Sequence, residues 1–438
     1  MSDPKQPTSS SKPKTPNRRT FVKTASAAAV GAAALTHELP IARAAHNSVD
    51  ETLRVGLIGC GGRGKGAAVN ATHADQNIKI VALADAFQDR IDAAKEQLNV
   101  EIEDFMDVDD DHCFTGIDCH KQLIDTDIDV VLLASPPYFR PFQMEYAAEK
   151  NKHIFCEKPI ATDAPGIRRV MAASKMCKEK GLSLVSGLCW RYDLGVNATM
   201  EKVINEKAIG DIIGMEANYL TAELWHRGNK PEWSQMEYQL RNWLYFNWLA
   251  GDLIAEQHIH TLDKCLWLMG DEPPVRCYGT GGRQKRTAEI YGNTYDHFAT
   301  VYEWANGVKA FSHCRQMSSC WSENECHVFG TNGSAAILAH RINDGENEWK
   351  YSGKKRSMYD VEHDHLFKSI REGKPINNGD YMCKSTQMAL MGRQASYTGK
   401  EIKWDEFLAD EDVLGPAEMS WEFGDYDAGP VPVPGKRS

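Results

Sequence analysis

The chain has 438 residues, of which 42% are hydrophobic and 25% are charged, and its formal net charge is −11. This composition is ordinary for a soluble globular protein and excludes a disordered or fibrous chain. At about 150 residues per domain the length predicts two or three domains. The acidic balance argues against nucleic acid or an anionic membrane as the main partner, because both favour clustered Lys and Arg.

The basic residues are concentrated at the start of the chain. Residues 1–44 hold seven basic and two acidic side chains, which leaves 43 Lys and Arg against 59 Asp and Glu, a net charge of −16, for residues 45–438. Two arginines precede an aromatic residue, a lysine, an Ala-rich apolar stretch and a small-residue site: Arg18, Arg19, Phe21, Lys23, 25–35 and 42–44. This order resembles a twin-arginine export signal cleaved after Ala44, whereas the alternative is a disordered basic tail with an accidental arginine pair.

Export would make the protein periplasmic or otherwise extracytoplasmic. The apolar stretch of the signal is too short for an ordinary membrane span, and no later run of about 18 apolar residues occurs. We therefore expect no membrane association after the signal is removed.

A short apolar run at 53–58, rich in β-branched residues, predicts a buried strand. It leads into Gly59-Cys60-Gly61-Gly62-Arg63-Gly64, a predicted helix over 65–73, and a second strand over 78–84 that ends at Asp85. In such a unit the glycines allow a tight turn, close approach of a pyrophosphate and close helix packing, and the helix N-terminus faces the anion. A carboxylate about 20 residues further on accepts hydrogen bonds from the ribose hydroxyls.

The sequence therefore predicts a dinucleotide site formed by Gly59, Gly61, Arg63, Gly64 and Asp85. Asp85 would repel a 2′-phosphate, so NAD is the predicted cofactor. NADP remains an alternative, because Arg63 or a nearby polar residue could soften that preference.

Two further buried strands are predicted at 128–134 and 153–156, separated by a helix at 141–150. The first ends in Ser135-Pro136-Pro137, and open α/β sheets bind ligands at such strand ends. Ser135 and Pro136 are therefore predicted to contact the cofactor.

The strand at 153–156 runs into Glu157-Lys158-Pro159. A lysine at this strand end projects into the ligand crevice, where its ammonium can stabilise negative charge that develops on a substrate oxygen. Glu157 could hold Lys158 as an ion pair, and Pro159 fixes the turn of the backbone. Glu157 and Lys158 are also predicted to contact the cofactor.

Helical periodicity is predicted from about Asp252 to Gly270. Glu256 and His260 stand at i, i+4 and would share one face, where a carboxylate raises the pKa of an imidazole and orients its ring. His258 would point away from His260, so no metal site is predicted. Asp263, one turn further on, could orient His260 or contact the substrate.

Together the glycine loop, Ser135-Pro136-Pro137 and Glu157-Lys158-Pro159 resemble the Gfo/Idh/MocA family, the sugar and inositol dehydrogenases related to glucose–fructose oxidoreductase. The resemblance covers residues 52–405, including Trp190-Arg191-Tyr192 at the domain crossing. It implies a catalytic helix within 251–270, with His260 as acid/base, and substrate contacts from Arg191, Tyr192 and Asp263. This chain has Glu256 where many members have Asp, and His258 where many have Gly.

The second half alternates strand-like stretches with loops, and a late helix is predicted near 381–397. The strands are predicted at 215–220, 297–304, 308–314 and 326–330. Aromatic and polar residues crowd 221–248, which suits a sugar ring, a core or a dimer interface; the spacing does not decide between them. The tail from about residue 410 has no periodic pattern and could wrap a neighbouring surface.

The resemblance implies an N-terminal Rossmann domain and a C-terminal α+β domain with a large, mostly antiparallel sheet. We expect a signal at 1–44, a Rossmann NAD(P)-binding domain at 52–187, a substrate and oligomerisation domain at 188–405, and a tail at 406–438. The open face of such a sheet often forms dimer contacts, so a homo-oligomer (dimer or tetramer) is expected.

These features predict an exported NAD(P)-dependent oxidoreductase acting on a secondary hydroxyl or ketone of a sugar, sugar derivative or cyclitol. His260 would take the hydroxyl proton, and Lys158 would stabilise the alkoxide-like charge. The likeness to glucose–fructose oxidoreductase implies a tightly bound, internally recycled cofactor. Two alternatives remain: an NAD-dependent glycosidase that uses transient oxidation, and a catalytically silent cofactor-binding or sensor protein.

Overall fold

The computed structural model describes residues 51–416 and 426–435. The export signal predicted at 1–44 lies outside these residues. Within the described part of the chain, no helix combines the length and the apolar character needed to cross a bilayer.

Six parallel strands form the sheet of the N-terminal half, in the order β3-β2-β1-β4-β5-β6. They are β1 Leu53–Ile58, β2 Ile78–Asp85, β3 Cys113–Thr115, β4 Val130–Leu133, β5 His153–Cys156 and β6 Leu184–Ser186. β4 and β5 are buried along their whole length, as expected for a parallel sheet covered on both faces. The strand order reverses between β1 and β4, which opens a crevice at their carboxyl ends.

Helices cover both faces of this sheet and one face of the second. In the described residues they are α1 Gly62–Ala74, α2 Gln88–Glu101, α3 Cys119–Ile124, α4 Arg140–Glu149, α5 Ala164–Lys180, α6 Leu194–Ile204, α7 Gln235–Arg241, α8 Asn247–Ala250, α9 Leu253–Glu256, α10 Ile259–Leu268, α11 Met358–Arg371, α12 Gly379–Thr398 and α13 Trp404–Leu408.

The C-terminal half is built on a nine-stranded sheet, in the order β14-β13-β12-β11-β7-β10-β9-β8-β15. Its strands are β7 Ile212–Thr221, β8 Arg276–Gly282, β9 His297–Glu303, β10 Lys309–Gln316, β11 Glu323–Gly330, β12 Ser334–Ala336, β13 Arg341–Asn343, β14 Glu348–Lys350 and β15 Ile402–Lys403. Only the central pair β7–β10 is parallel among these neighbours. The predicted fold class, a Rossmann half followed by a mostly antiparallel α+β half, is confirmed.

The chain returns to the N-terminal half near its end, so the two halves are interleaved. Arg371 at the end of α11 forms an ion pair with Asp75 (2.7 Å), just after α1. The Leu184 N–H in β6 donates to the Ile376 carbonyl (2.8 Å). A single hydrophobic core also contains residues of both sheets. The N-terminal and C-terminal halves therefore share part of their packing.

The described part of the C-terminal tail binds the surface of its own chain. The Leu414 N–H donates to Asp163 (3.0 Å), Gln239 donates to the Tyr426 carbonyl (2.6 Å), and the Tyr295 hydroxyl donates to the Pro432 carbonyl (2.9 Å). The surface that this tail wraps is therefore intramolecular.

Candidate active site

A cavity of about 500 Å³ lies in the crevice at the carboxyl ends of β1, β2 and β4. Seven of the predicted cofactor residues line it: Gly59, Gly61, Arg63, Gly64, Asp85, Ser135 and Pro136. Sequence positions up to 77 residues apart thus meet at the point where the strand order reverses, where ligands bind in open α/β sheets.

The glycines of the loop fit a dinucleotide for two separate reasons. A Cβ at Gly59 (φ +95°) would lie 2.4 Å from the Ser135 nitrogen, and a Cβ at Gly64 would lie 1.8 Å from the Gly59 oxygen. Nothing lies within 4 Å of the Cβ position at Gly61, the N-cap of α1, and no side chain caps this helix. Gly59 and Gly64 permit close packing, whereas Gly61 leaves the open helix N-terminus free to bind a phosphate.

Asp85 closes β2 and shapes the glycine loop. One carboxylate oxygen accepts from the Cys60 N–H (2.8 Å) and the other from the Phe87 N–H (3.1 Å). Burial raises the pKa of Asp85, and the Cys60 N–H opposes that shift. Each oxygen keeps a second acceptor position, so ribose hydroxyls can still donate to it.

The Arg63 side chain, predicted to contact the cofactor, turns towards two carboxylates. Its guanidinium contacts Glu157 (2.5 Å) and Glu362 (2.7 Å), and its Cζ lies 4.6 Å from the centroid of the Tyr359 ring. Burial raises the pKa of Glu157, but the charges of Arg63 and Lys158 outweigh burial and hold the pKa below its usual value. The Arg63 charge is thus committed to carboxylates, and the idea that it softens the preference for NAD is not supported.

Lys158 lies directly after β5, and the bond to Pro159 is cis. Its ammonium donates to the Glu256 carbonyl and lies 3.4 Å from the Glu256 carboxylate. The Glu157 carboxylate instead accepts from the Lys158 backbone N–H (3.1 Å). The predicted side-chain pair of Glu157 with Lys158 is therefore wrong, because the Glu157 carboxylate pairs with Arg63 instead.

The single helix predicted over 252–270 is also wrong. The chain forms α9 and α10, with Gln257 and His258 between them. Glu256 ends α9 and binds Lys158, so it does not orient His260 in the way a shared helix face would.

Burial, together with the charges of Lys158 and Lys264, holds the pKa of His260 well below 6.5, which reverses the predicted rise. The imidazole is consequently neutral at pH 7 and can accept a proton.

Several buried polar atoms at this site have no partner in the described chain. They are Glu256 Oε2, His258 Nδ1 and His260 Nδ1. Buried polar atoms in folded proteins are normally hydrogen-bonded. The unpartnered atoms of Glu256 and His260 therefore suit a polar ligand near the Lys158 ammonium, beside the cofactor cavity that Glu256 lines.

His258 is held by the second sheet. Its Nε2 lies 2.6 Å from the Ser312 hydroxyl on β10, and burial lowers its pKa to about 3. In this geometry His258 is a neutral, hydrogen-bonded histidine, and its role is structural.

The three residues predicted to bind substrate instead form a buried network behind the site. Arg191 pairs with Asp263 (2.8 Å) and Asp271 (2.6 Å), and the Ser385 hydroxyl donates to Asp263 (2.7 Å). The Tyr192 hydroxyl donates to Asn378 (2.7 Å). None of Arg191, Tyr192 and Asp263 lines the cavity, and neither do Lys158 and His260, so the substrate contacts expected from the three stay a prediction.

Sequence reasoning missed two contributions. Glu362 on α11 pairs with Arg63, and no local motif signals a contact across 299 residues. The aromatic segment is visible in the sequence, but the sequence does not show which of its residues line the cavity and which are buried in the core. Trp225 and Trp243 line the cavity, whereas Tyr245 and Trp248 are buried in a core cluster. Within the described residues, no three His, Cys, Asp or Glu side chains are arranged to hold a metal ion.

Residues 53–187 match the family model "Oxidoreductase family, NAD-binding Rossmann fold", and residues 197–336 match "GFO/IDH/MocA C-terminal domain". An inositol 2-dehydrogenase from Rhizobium meliloti is 26% identical over 290 residues, 66% of this chain and 77% of that protein. A 2,7-anhydro-N-acetylneuraminate hydratase from Escherichia coli is 28% identical over 210 residues, which span 48% of this chain and only 51% of the hydratase.

A crystal structure of scyllo-inositol dehydrogenase from Lactobacillus casei, with bound cofactor NAD(H) and scyllo-inositol, has a TM-score of 0.61 to this chain. The two are 19% identical, and the match covers 81% of this chain and 100% of that one. At this identity the likeness concerns the fold.

Proposed function

The chain belongs to the Gfo/Idh/MocA family of NAD(P)-dependent oxidoreductases, and from this premise we propose that it transfers a hydride between NAD and a secondary hydroxyl or ketone of a sugar, sugar derivative or cyclitol. The observation that carries the proposal is the contact of Lys158 with Glu256, which lines the dinucleotide cavity, together with the effect of the Lys158 charge on His260. A relative named inositol 2-dehydrogenase supports the substrate class.

Each residue of the site has a separate role in the oxidation of a hydroxyl group. A bound nicotinamide ring supplies the hydride acceptor. The neutral imidazole of His260 takes the hydroxyl proton. The Lys158 ammonium, held by Glu256, stabilises the charge that develops on the substrate oxygen. Arg63 and Glu157 hold the glycine loop against the turn that carries Lys158.

Substitution of the two proton-handling residues tests this proposal. In a screen of inositols, sugars and glycosides with NAD, Lys158→Met and His260→Asn should each lower kcat/KM by about 10²–10⁴-fold and still bind NADH. His327→Asn, on β11, is the matched control and should retain activity. Full activity of both site variants on every substrate would reject the mechanism and favour the catalytically silent alternative.

A redox-neutral reaction is the second candidate, because a hydratase is among the relatives. In that case transient oxidation would permit elimination of a substituent, as in an NAD-dependent glycosidase. Release of sugar or aglycone without net formation of NADH would distinguish it from a dehydrogenase.

We propose export by the twin-arginine route on the order of residues in the 1–44 segment. Replacing Arg18 and Arg19 by Lys should leave the protein in the cytoplasmic fraction, whereas the parent reaches the periplasmic one. Equal distribution of the two forms would reject the proposal.

A homo-oligomer formed through the second sheet is also proposed. Exposed apolar side chains lie on that sheet. Tyr278 on β8 and Phe311 on β10 both pair in register with Val301 on β9. Contiguous exposed apolar surface of this kind marks contact sites. Sedimentation of Phe311→Lys beside the parent chain checks it, since the substitution should dissociate the assembly.

A further inference from the structure

The cofactor cavity has a second wall that comes from the C-terminal half. The segment 222–246 leaves β7, crosses to the N-terminal sheet, and lines the same cavity as the glycine loop. Its contributions are Trp225, Arg227, Leu240, Arg241 and Trp243. This wall faces the end of the cavity marked by Asp85, where the adenosine ribose of a dinucleotide binds.

One side chain fastens the wall to the Rossmann half. The Arg241 guanidinium donates twice to Asp89 (3.0 and 3.1 Å), and its Cζ lies 3.9 Å from the centroid of the Phe87 ring. Glu237 accepts from the same guanidinium (2.8 Å). A two-pronged arginine–carboxylate contact fixes orientation as well as distance. Phe87 and Asp89 follow Asp85 by two and four residues, so the fastening stands at the adenosine end.

The wall is held in its own shape. Asn242, fully buried, accepts from the Arg227 N–H (2.8 Å) and donates to the Gly228 and Tyr238 carbonyls (3.1 Å each). The Arg227 Cζ lies 4.4 Å from the centroid of the Trp225 ring. The segment therefore presents a formed surface to the cavity.

Positive charge on both walls meets in the cavity. Arg90 on α2 and Arg227 on the wall both line it. Among the described ion pairs, neither has a carboxylate partner. Two guanidiniums that form no close ion pair, one of them near Asp85 and Asp89, suit a ligand that carries phosphate groups.

We propose that residues 222–246 bind the adenosine half of the dinucleotide from the side opposite the glycine loop, and that the contact of Arg241 with Asp89 and Phe87 must open before the cofactor leaves. The inference rests on the proposed function only in that the ligand is a nicotinamide dinucleotide. It makes release of the cofactor depend on the C-terminal half, which contributes no part of the glycine motif.

Displacement of bound NADH by excess NAD, followed by stopped-flow fluorescence on the full chain, measures this release. Arg241→Ala should speed release about tenfold, since it removes the ion pair and the contact over Phe87. Asp89→Asn should speed it about threefold. The double variant should be no faster than Arg241→Ala, because both changes open the same contact. Arg276→Ala, which loses ion pairs at the far edge of the second sheet, is the matched control and should not change release.

The half of the ligand that is affected provides a second readout. Arg241→Ala should weaken the binding of ADP-ribose and leave the binding of nicotinamide mononucleotide unchanged. The binding of NADPH should be measured beside that of NADH. Three outcomes would overturn the proposal. Arg241→Ala could release NADH within twofold of the parent rate, or the double variant could show the multiplied effects of the two single changes. Arg241→Ala could also weaken the binding of both half-ligands equally. A parent chain that binds no nicotinamide dinucleotide would overturn the proposed function and this inference together. A chain that turns over normally but whose Arg241→Ala variant retains NADH would overturn this inference alone.

Discussion

Two lysines at different places in the fold both lower the pKa of the His260 imidazole. Lys158 points into the site, whereas Lys264 is fully buried and donates to the His260 carbonyl (2.9 Å). The Lys264 ammonium also lies 4.7 Å from the centroid of the Trp190 ring. In the described chain no carboxylate neutralises Lys264 within ion-pair distance, so its charge opposes protonation of His260. Sequence spacing singles out the histidine but gives no sign of this second cation.

Lys264→Met is expected to raise the pKa of His260, because a buried positive charge that disfavours the imidazolium is removed. The base must be neutral to act, so the acidic limb of the kcat/KM profile should move to higher pH. Lys374→Met, at an exposed lysine, is the control. An unchanged acidic limb in Lys264→Met would show that this charge does not reach the base.

At the scale of elements, the start of α9 depends on Asp252, the residue just before it. Asp252 has φ 69° and ψ 169°, a region that side chains rarely adopt. Its buried carboxylate accepts from the Leu253 N–H (2.6 Å), the Tyr295 N–H (2.7 Å) and the Tyr397 hydroxyl (2.5 Å). These three donors hold the strained backbone and fix where Glu256 points.

Asp252→Ala should lower the free energy of unfolding by about 3 kcal/mol, because three buried donors lose their acceptor. Asp252→Asn keeps an acceptor oxygen and should lose clearly less. Urea denaturation of both variants beside the parent measures the difference. Equal stability of Ala and Asn at this position would mean that the carboxylate does not hold the turn.

The strands show what local sequence can predict. β1 and β5 have the predicted limits because a buried parallel strand is a short apolar run bounded by turn residues. The single helix over 252–270 is wrong because the chain turns at Gln257 and His258, whose side chains bond Gln316 and Ser312 on β10. The ion pairs of Arg191 with Asp263 and Asp271 are not predicted for a similar reason: they join positions that come together only in the folded chain. A sequence pattern within about 20 residues predicts local structure. Contacts between residues hundreds of positions apart are not predicted by such patterns.

For the molecule as a whole, buried histidines set the response to acid. Burial lowers the pKa of His120 and His153 to about 4, and of His258 and His363 to about 3. Their pKa in the unfolded chain is near 6.5, so between that pH and 4 or 3 the unfolded state binds more protons than the native one. Stability contributed by these groups is therefore present above pH 6.5 and is lost on acidification.

The free energy of unfolding should fall as the pH drops from 6.5 to 4, by up to about 1.4 kcal/mol per pH unit for each histidine. Urea midpoints measured across this range test the slope. His120→Asn should flatten it, whereas substitution of the half-buried His112 by Asn should not. Constant midpoints between pH 6.5 and 4 would show that the buried histidines do not bring about this loss.

The pairing of Arg63 with Glu362 also has a consequence for the growing polypeptide. The two residues are 299 positions apart. At about 5–20 residues per second a ribosome needs roughly 15–60 s to make the second after the first. During that interval the glycine loop exists with its arginine unneutralised by α11, so a nascent chain cannot yet hold its finished nucleotide crevice. Maturation of the crevice is thus timed by synthesis of the C-terminal helices, even though every glycine of the loop is made within the first sixth of the polypeptide.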